Sequence, residues 1–207
     1  MPVLRNGAQR ASHPSRIGGA AVVALVAAAL VAPVASAAEP VTTATVTTTT
    51  VSAPWLSDEA YYLKLVNCTR TGGWVLKDGT CRGYGSGRYS AYVKPLTRSP
   101  GISDRVSRPY AKLLAVKNAC SHFLDHDPGY RLRRAGFSGY NWGENIGCRN
   151  GSSVRASILA SHLYFQSEKA TNGGHWRNIK NPRYTYVGIG IWRYGERVRL
   201  VTDFYRP

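Results

Sequence analysis

The sequence predicts an α+β domain with helices packed on a sheet. Three observations lead there. Three segments with helical caps or spacing precede a C-terminal pair of alternating β-branched segments. The 207 residues are 43% hydrophobic and 18% charged, the balance of a folded chain. The one long apolar stretch, residues 17–34, lies near the N-terminus. A wholly disordered chain and a polytopic membrane protein are thereby excluded. The length allows one or at most two domains, and a formal net charge of +16 points to an anionic partner.

At the N-terminus, Arg5, Arg10 and Arg16 precede the apolar run 20–32, and Ala35-Ser36-Ala37 supplies the small-x-small pattern that signal peptidase accepts. Residues 1–37 are expected to be a secretory signal, because the run is Ala-rich and broken by Pro33. Its removal takes away three arginines and no acid, leaving 170 residues with a net charge of +13. Residues 38–56 read as a Thr-rich linker, and the folded domain is expected over 57–207.

Ser57 is placed to cap a first helix ending near Asn67, with Asp58 and Glu59 in the turn where the helix dipole favours anions. Residues 71–101, rich in Gly, Ser, Tyr and Arg, are expected to form a loop; Gly83, Gly85 and Gly87 lack the lysine and following helix of a phosphate cradle. Pro109 suits a first helical position, and Ala111, Leu114, Ala115, Ala119 and Leu124 recur at helical spacing until Pro128 and Gly129 stop this second helix. Ser152 or Ser153 caps a third helix through Glu168, with Ile158, Leu159, Leu163 and Phe165 as its apolar residues. Val187, Ile189 and Ile191 alternate with glycines, and Val198, Leu200, Thr202 and Phe204 alternate with Arg199, Val201 and Asp203. The turn at 193–196 makes these two an antiparallel hairpin.

Cys68, Cys81, Cys120 and Cys148 are an even set in a chain expected in an oxidising compartment, which predicts two disulfides in one of three pairings. No Cys-x-x-Cys pair supports a zinc–cysteine site.

Two segments are unusual for their polar content, Trp142-Gly143-Glu144-Asn145-Ile146-Gly147 and Gln166-Ser167-Glu168 leading to Gly174-His175-Trp176-Arg177-Asn178-Ile179. Here the sequence resembles the CAP superfamily of cysteine-rich secretory, antigen 5 and pathogenesis-related proteins, whose domain is also called SCP. Its Gly-Glu-Asn-Ile signature is matched at 143–146, its Gly-His-x-x-x-Ile segment at 174–179, and its following strand at 184–192. The resemblance covers roughly residues 60–205, and the order and spacing of its motifs make it specific.

The resemblance implies a three-layer α-β-α sandwich whose cleft holds two histidines and two acids. Glu144 matches the acid of Gly-Glu-Asn and His175 the histidine of Gly-His. Glu168 matches the helix acid of an aromatic-x-x-Glu pattern, with Phe165 in place of Trp. His122 and His126 compete for the first histidine, and the family's usual gap to residues 131–136 favours His122. A meeting of His122 with Glu144 brings Cys120 and Cys148 together, and Cys68 and Cys81 bracket a short Gly-containing turn, so the pairings 68 with 81 and 120 with 148 are preferred.

Two neutral imidazoles and two carboxylates, His122, His175, Glu144 and Glu168, can hold Zn²⁺ or another divalent ion. The same four can instead form a buried polar network that fixes the cleft and performs no reaction, and this reading is preferred. His122-Phe123-Leu124-Asp125-His126 also reads as an inverted zincin motif with Asp in place of Glu, its two histidines one helical turn apart. No Gly-x-Ser-x-Gly elbow supports a serine hydrolase, and the sequons at Asn67 and Asn150 are taken as incidental.

Basic residues group at Arg131, Arg133 and Arg134, at Arg177, Lys180 and Arg183, and at Arg193, Arg197 and Arg199. Secretion argues against an intracellular nucleic acid, so anionic lipids, sulfated glycans or envelope polymers are the expected partners. The expectation is a secreted CAP-domain binding or scaffold protein whose His/Glu cleft is a candidate for a divalent metal and whose basic surface meets anionic lipids or envelope polymers. The alternative is a metal-dependent hydrolase in which Glu144 or Glu168 serves as general base.

Overall fold

The computed structural model describes residues 53–207; the expected secretory signal and residues 38–52 of the expected linker lie outside them. Helix α1 (Leu56–Arg70) starts one residue ahead of Ser57. Trp55 takes the N-cap position without a side-chain cap bond, so Ser57 falls inside the first turn. The helix continues past Asn67 and ends where Thr71 Oγ1 donates to the Asn67 carbonyl at 2.8 Å and Gly72 turns the chain at φ +85°. In the stretch expected to be loop, β1 (Trp74–Val75) pairs antiparallel with β2 (Cys81–Arg82), and β3 (Thr97–Arg98) joins the main sheet.

The second helix is displaced from its expected bounds at both ends. Helical backbone begins in α2 (Pro100–Ile102), capped by Ser99 Oγ, passes through a π-helical segment at Ser103–Ser107 and continues as α3 (Arg108–Val116). Pro109 therefore lies inside a continuous helical run. It has no N–H to donate, and the wide turn before it, in which the Arg108 N–H reaches the Ser103 carbonyl, accommodates the gap. The helix stops at Val116, well short of Pro128. Asn118 adopts the left-handed conformation at φ 51°, and Arg199 Nε donates to the Ala119 carbonyl at 2.9 Å. Cys120 is tied to Cys148. Tertiary bonds thus override an apolar spacing that runs on to Leu124.

Three elements follow that periodicity did not announce: α4 (Pro128–Arg134), β4 (Asn141–Asn150) and α6 (Gly174–Lys180). Asp127 caps α4 by accepting from the Tyr130 N–H at 2.9 Å, with Pro128 at its first position. Helix α5 (Val154–Ser167) begins at the Ser153 cap and gives way to a 3₁₀ turn over Glu168–Thr171. The hairpin forms as expected from β5 (Tyr186–Tyr194) and β6 (Arg197–Arg206), with Gly195 at φ +60° in its turn.

The main sheet has the order β3-β5-β6-β4, with β3 parallel to β5 and the other pairs antiparallel. Alternation along the strands sends side chains to two separate cores. Val187, Ile189, Ile191, Leu200 and Phe204 face Tyr62 and Val66 of α1 and Ile158 and Phe165 of α5. Val201 of β6 and Ile146 of β4 face Tyr110 and Leu114 of α3 on the opposite side. This is the expected three-layer α-β-α sandwich. Gly188 and Gly190 lie on the α3 side, where a Cβ at Gly190 would overlap the Ser107 backbone, so their bareness lets the helix backbone rest on the strand.

Buried charge ties the layers together. Glu59 accepts from Arg98 at 2.5 Å and from Arg108 at 2.6 Å, joining α1 to β3 and α3. Arg70, fully buried, donates to the carbonyls of Lys94, Ile179, Asn181 and Tyr184, and burial lowers its pKa to about 10. The preferred disulfides are present, Cys68 with Cys81 and Cys120 with Cys148. No helix among the described residues is long and apolar enough to cross a membrane.

Candidate functional site

Strand β4 lies at the sheet edge, and its Gly143-Glu144-Asn145 segment serves both faces at once. Glu144 stands opposite Asp203 and points with it toward the α3 and α4 layer. Asn145 turns the other way, donating through Nδ2 to the His175 carbonyl at 3.1 Å. Asn178 Nδ2 donates to the Glu144 carbonyl at 3.1 Å and to Asn145 Oδ1 at 2.8 Å, which pins α6 to the strand. Gly143 has to be bare, because a Cβ there would sit 2.7 Å from Asn178 Oδ1 and from Tyr184 Oη.

Two histidine–glutamate pairs approach this edge from opposite layers. His122 Nδ1 meets Glu144 Oε1 at 2.7 Å, and Glu144 Oε2 accepts from Arg131. His175 Nδ1 meets Glu168 Oε1 at 2.7 Å, and Glu168 Oε2 accepts from the His175 backbone N–H at 2.9 Å. Burial pushes the Glu168 carboxyl up, but the hydrogen bond and charge of His175, with the His175 and Trp176 backbone N–H groups, outweigh it and hold it below the ordinary value. Phe165, standing where the family pattern has Trp, stacks on the His175 ring at 4.3 Å and 19°.

Both histidines line one cavity of about 340 Å³ that runs along β4 past Ile146, Gly147 and Cys148. Their Nδ1 atoms are committed to carboxylates, so the nitrogen without a protein partner in each ring is Nε2, among the described residues. Such a carboxylate contact fixes the tautomer and the ring orientation. The four side chains do not assemble as one ligand shell. Among the described residues no group of three or more His, Cys, Asp or Glu side chains is arranged to hold a metal ion. Two imidazole nitrogens are the donors that remain, a chemistry suited to zinc. Both oxygens of each carboxylate accept a hydrogen bond within the protein: Glu144 from His122 and Arg131, and Glu168 from the His175 ring and backbone N–H.

His126 takes no part. It sits outside any helix at φ 60°, its ring 4.1 Å from that of Tyr130 and its Nε2 3.8 Å from Asp125. The inverted zincin reading fails for the same reason, since the chain from Lys117 to Asp127 is not helical and the one-turn spacing of its histidines is lost. Arg131 is the site residue that sequence reasoning missed. Grouped there with surface charges, it is buried, stacked at 3.4 Å from the Tyr110 ring centroid, and bonded to the carbonyls of His122 and His126 as well as to Glu144. The Asp127-Pro128 cap was the available signal for its helix. The basic surface is smaller than the count suggested: Arg199 is also buried, and Lys180 donates to three carbonyls, its pKa lowered to about 8 by burial first and then by Arg70.

In sequence comparisons no family profile and no curated protein matches this chain. Solved structures do. An extracellular protein containing a SCP domain from Bacillus anthracis str. Ames superposes over 73% of this chain and 41% of its own, at a TM-score of 0.52 and 19% identity. The fold is that of the SCP domain. The chain spans about two-fifths of that protein's length. NaASP2 with Zn²⁺ superposes over 72% of the chain and 79% of its own, at a TM-score of 0.48 and 15% identity. The Ancylostoma-secreted protein Ac-ASP-7 does so over 72% and 69%, at 0.42 and 14%.

Proposed function

We propose that the protein is a secreted CAP-type binding module whose edge-strand cleft takes one divalent cation, zinc foremost, on Nε2 of His122 and Nε2 of His175. The observation that carries this reading is the paired anchoring: each imidazole is held through Nδ1 by a glutamate while both rings line the same cavity. Glu144 and Glu168 then act as orienting groups, and two donors leave the cation open to water or to a ligand's own donor atoms. When bound, the cation supplies a Lewis-acid centre for gripping an oxygen or nitrogen ligand. The exposed arginines, among them Arg133, Arg134, Arg183 and Arg193, draw an anionic lipid, sulfated glycan or envelope polymer to the surface. The two disulfides fit an oxidising compartment.

Zinc titration by calorimetry on the full chain, beside His122→Ala and His175→Ala at a pH where free imidazole is neutral, tests the site. One saturable site lost in both variants is the expected result. Absence of binding, or binding that survives in both variants, overturns it.

A further inference from the structure

The outer edge of β4 is closed along its first half and open along its second. The Gly151 N–H donates to the Glu196 carbonyl at 2.8 Å, and with the strand register this makes the odd-numbered residues of β4 the ones that bond to β6. The N–H and C=O groups of Trp142, Glu144, Ile146 and Cys148 therefore point away from β6, to the outside of the sheet. Where this edge passes α6 the protein supplies partners of its own: Tyr184 Oη donates to the Trp142 carbonyl at 2.8 Å, and Asn178 Nδ2 to the Glu144 carbonyl at 3.1 Å. Beyond that the supply ends. The backbone N–H and C=O of Ile146 and of Cys148 have no partner among the described residues.

These groups do not lie on an ordinary solvated edge. Ile146 is 6% exposed, and with Gly147 and Cys148 it lines the histidine cavity between Cys120, Ser121 and His122 on one side and Tyr164, Phe165 and His175 on the other. A backbone group sheltered in this way is costly to leave without a partner. Two donors and two acceptors, alternating along one line with a repeat of about 6.8 Å, are the complement of another extended chain. A second observation concerns charge. Arg149 lines the same cavity, its guanidinium 5.6 Å from the Tyr164 ring centroid. Its Nη2 donates to the Ala160 carbonyl at 3.3 Å, whereas its Nε–H is buried without an acceptor among the described residues. The two cleft acids are committed elsewhere, Glu144 to His122 and Arg131 and Glu168 to His175.

We propose that the open half of this edge takes an extended segment of a partner polypeptide as an antiparallel fifth strand of the main sheet, with one acidic side chain of that segment on Arg149. Main-chain bonds to Ile146 and Cys148 hold the segment. Arg149 sets its register, because a slip of one residue turns the acid to the opposite face. The cavity, about 340 Å³, suits a few residues of chain rather than a folded surface. The inference rests on the reading of this cleft as a binding site, but it needs no cation.

The test is fluorescence anisotropy of a labelled, end-blocked heptapeptide, Thr-Glu-Val-Thr-Val-Thr-Thr, titrated with the full chain in the presence of a chelator. Failure of strand pairing and failure of the zinc site are thereby read separately. Two N-methylated versions are compared. One carries methyl groups on the third and fifth amide nitrogens, which face β4 when the glutamate lies beside Arg149; the other carries them on the fourth and sixth, which face away. Saturable binding, weakened at least tenfold by the first pair of methyl groups and within about twofold unchanged by the second, is the expected result. Arg149→Gln is expected to weaken this peptide about tenfold while leaving the version with Gln in place of Glu unaffected. Equal loss from both methylation patterns overturns the strand pairing, and equal affinity of the unaltered protein for the Glu and Gln peptides overturns the part given to Arg149. Absence of saturable binding overturns the inference outright.

Discussion

Glu144 on β4 and Asp203 on β6 lie directly opposite one another in the strand register, two buried carboxyl groups on the face that meets α3. Burial first, and then the charge of Glu144, push the Asp203 pKa well above its ordinary value, against the Ser107 hydroxyl that donates to Asp203 Oδ2 at 2.6 Å. Glu144 is the member paired with a cation, Arg131.

Replacing Asp203 by Asn is therefore expected to leave the protein at least as stable at pH 7. The folded pKa lies above the unfolded one, so the native protein loses stability as pH rises from the ordinary value of 3.8 through the raised one. The amide removes that slope while still accepting from Ser107. Urea unfolding of both proteins across this range checks it, and a loss at pH 7 of more than about 2 kcal/mol would show that the carboxylate itself is needed.

His162 gives the opposite slope. It is fully buried, accepts no proton readily because burial lowers its pKa to about 3, and meets Thr69 Oγ1 through Nε2 at 2.9 Å. Thr69 in turn donates to Gln166 Oε1 at 2.9 Å, which leaves the histidine as the donor. The unfolded imidazole takes up a proton below 6.5 that the folded one refuses, so stability falls as pH drops from 6.5 toward 3. The slope approaches about 1.4 kcal/mol per pH unit from this group alone. A His162→Gln variant, which keeps a donor for Thr69, is expected to unfold with a shallower acid limb in pH-dependent thermal melts, and an unchanged limb would refute this.

Gly190→Ala is expected to destabilise the protein by about 3 kcal/mol or more, since the added carbon would overlap the Ser107 backbone rather than a movable side chain. Gly85→Ala has open space around it but a left-handed backbone at φ +74°, and should cost only about 1 kcal/mol. Chemical denaturation of the two variants side by side reads the difference.

How much of this was legible in the sequence follows from what each element relies on. The hairpin and α5 were readable because β-branched alternation and a serine cap are local signals. The end of α3 was not, because Arg199, eighty residues away from Ala119, decides it through a tertiary bond. Strand β4 was obscured because it is an edge strand whose polar Glu144 and Asn145 face α3 and α6 and whose Gly143 and Gly147 make room for Tyr184 and Ser161. The histidine–glutamate pairs came from motif resemblance, whereas nothing in the run Arg131-Leu132-Arg133-Arg134 said which arginine turns inward.

The Cys120–Cys148 disulfide should matter more to the cleft than to the fold. It closes a 28-residue separation, worth about 3–4 kcal/mol by loop entropy, and it holds the non-helical segment that carries His122. The double Cys→Ser variant is expected to remain folded by circular dichroism yet bind zinc at least tenfold more weakly; full retention of zinc affinity would detach His122 from this anchor.

The central claim, that two oriented histidines share one cation through Nε2, is tested most directly by nitrogen NMR of the histidine rings during zinc addition. The account predicts that His122 and His175 begin as Nδ1–H tautomers and that their Nε2 resonances shift together, complete at one equivalent, while His126 and His162 stay unchanged. Separate shifts at different zinc concentrations, movement of Nδ1 instead, or no response from either ring would contradict it.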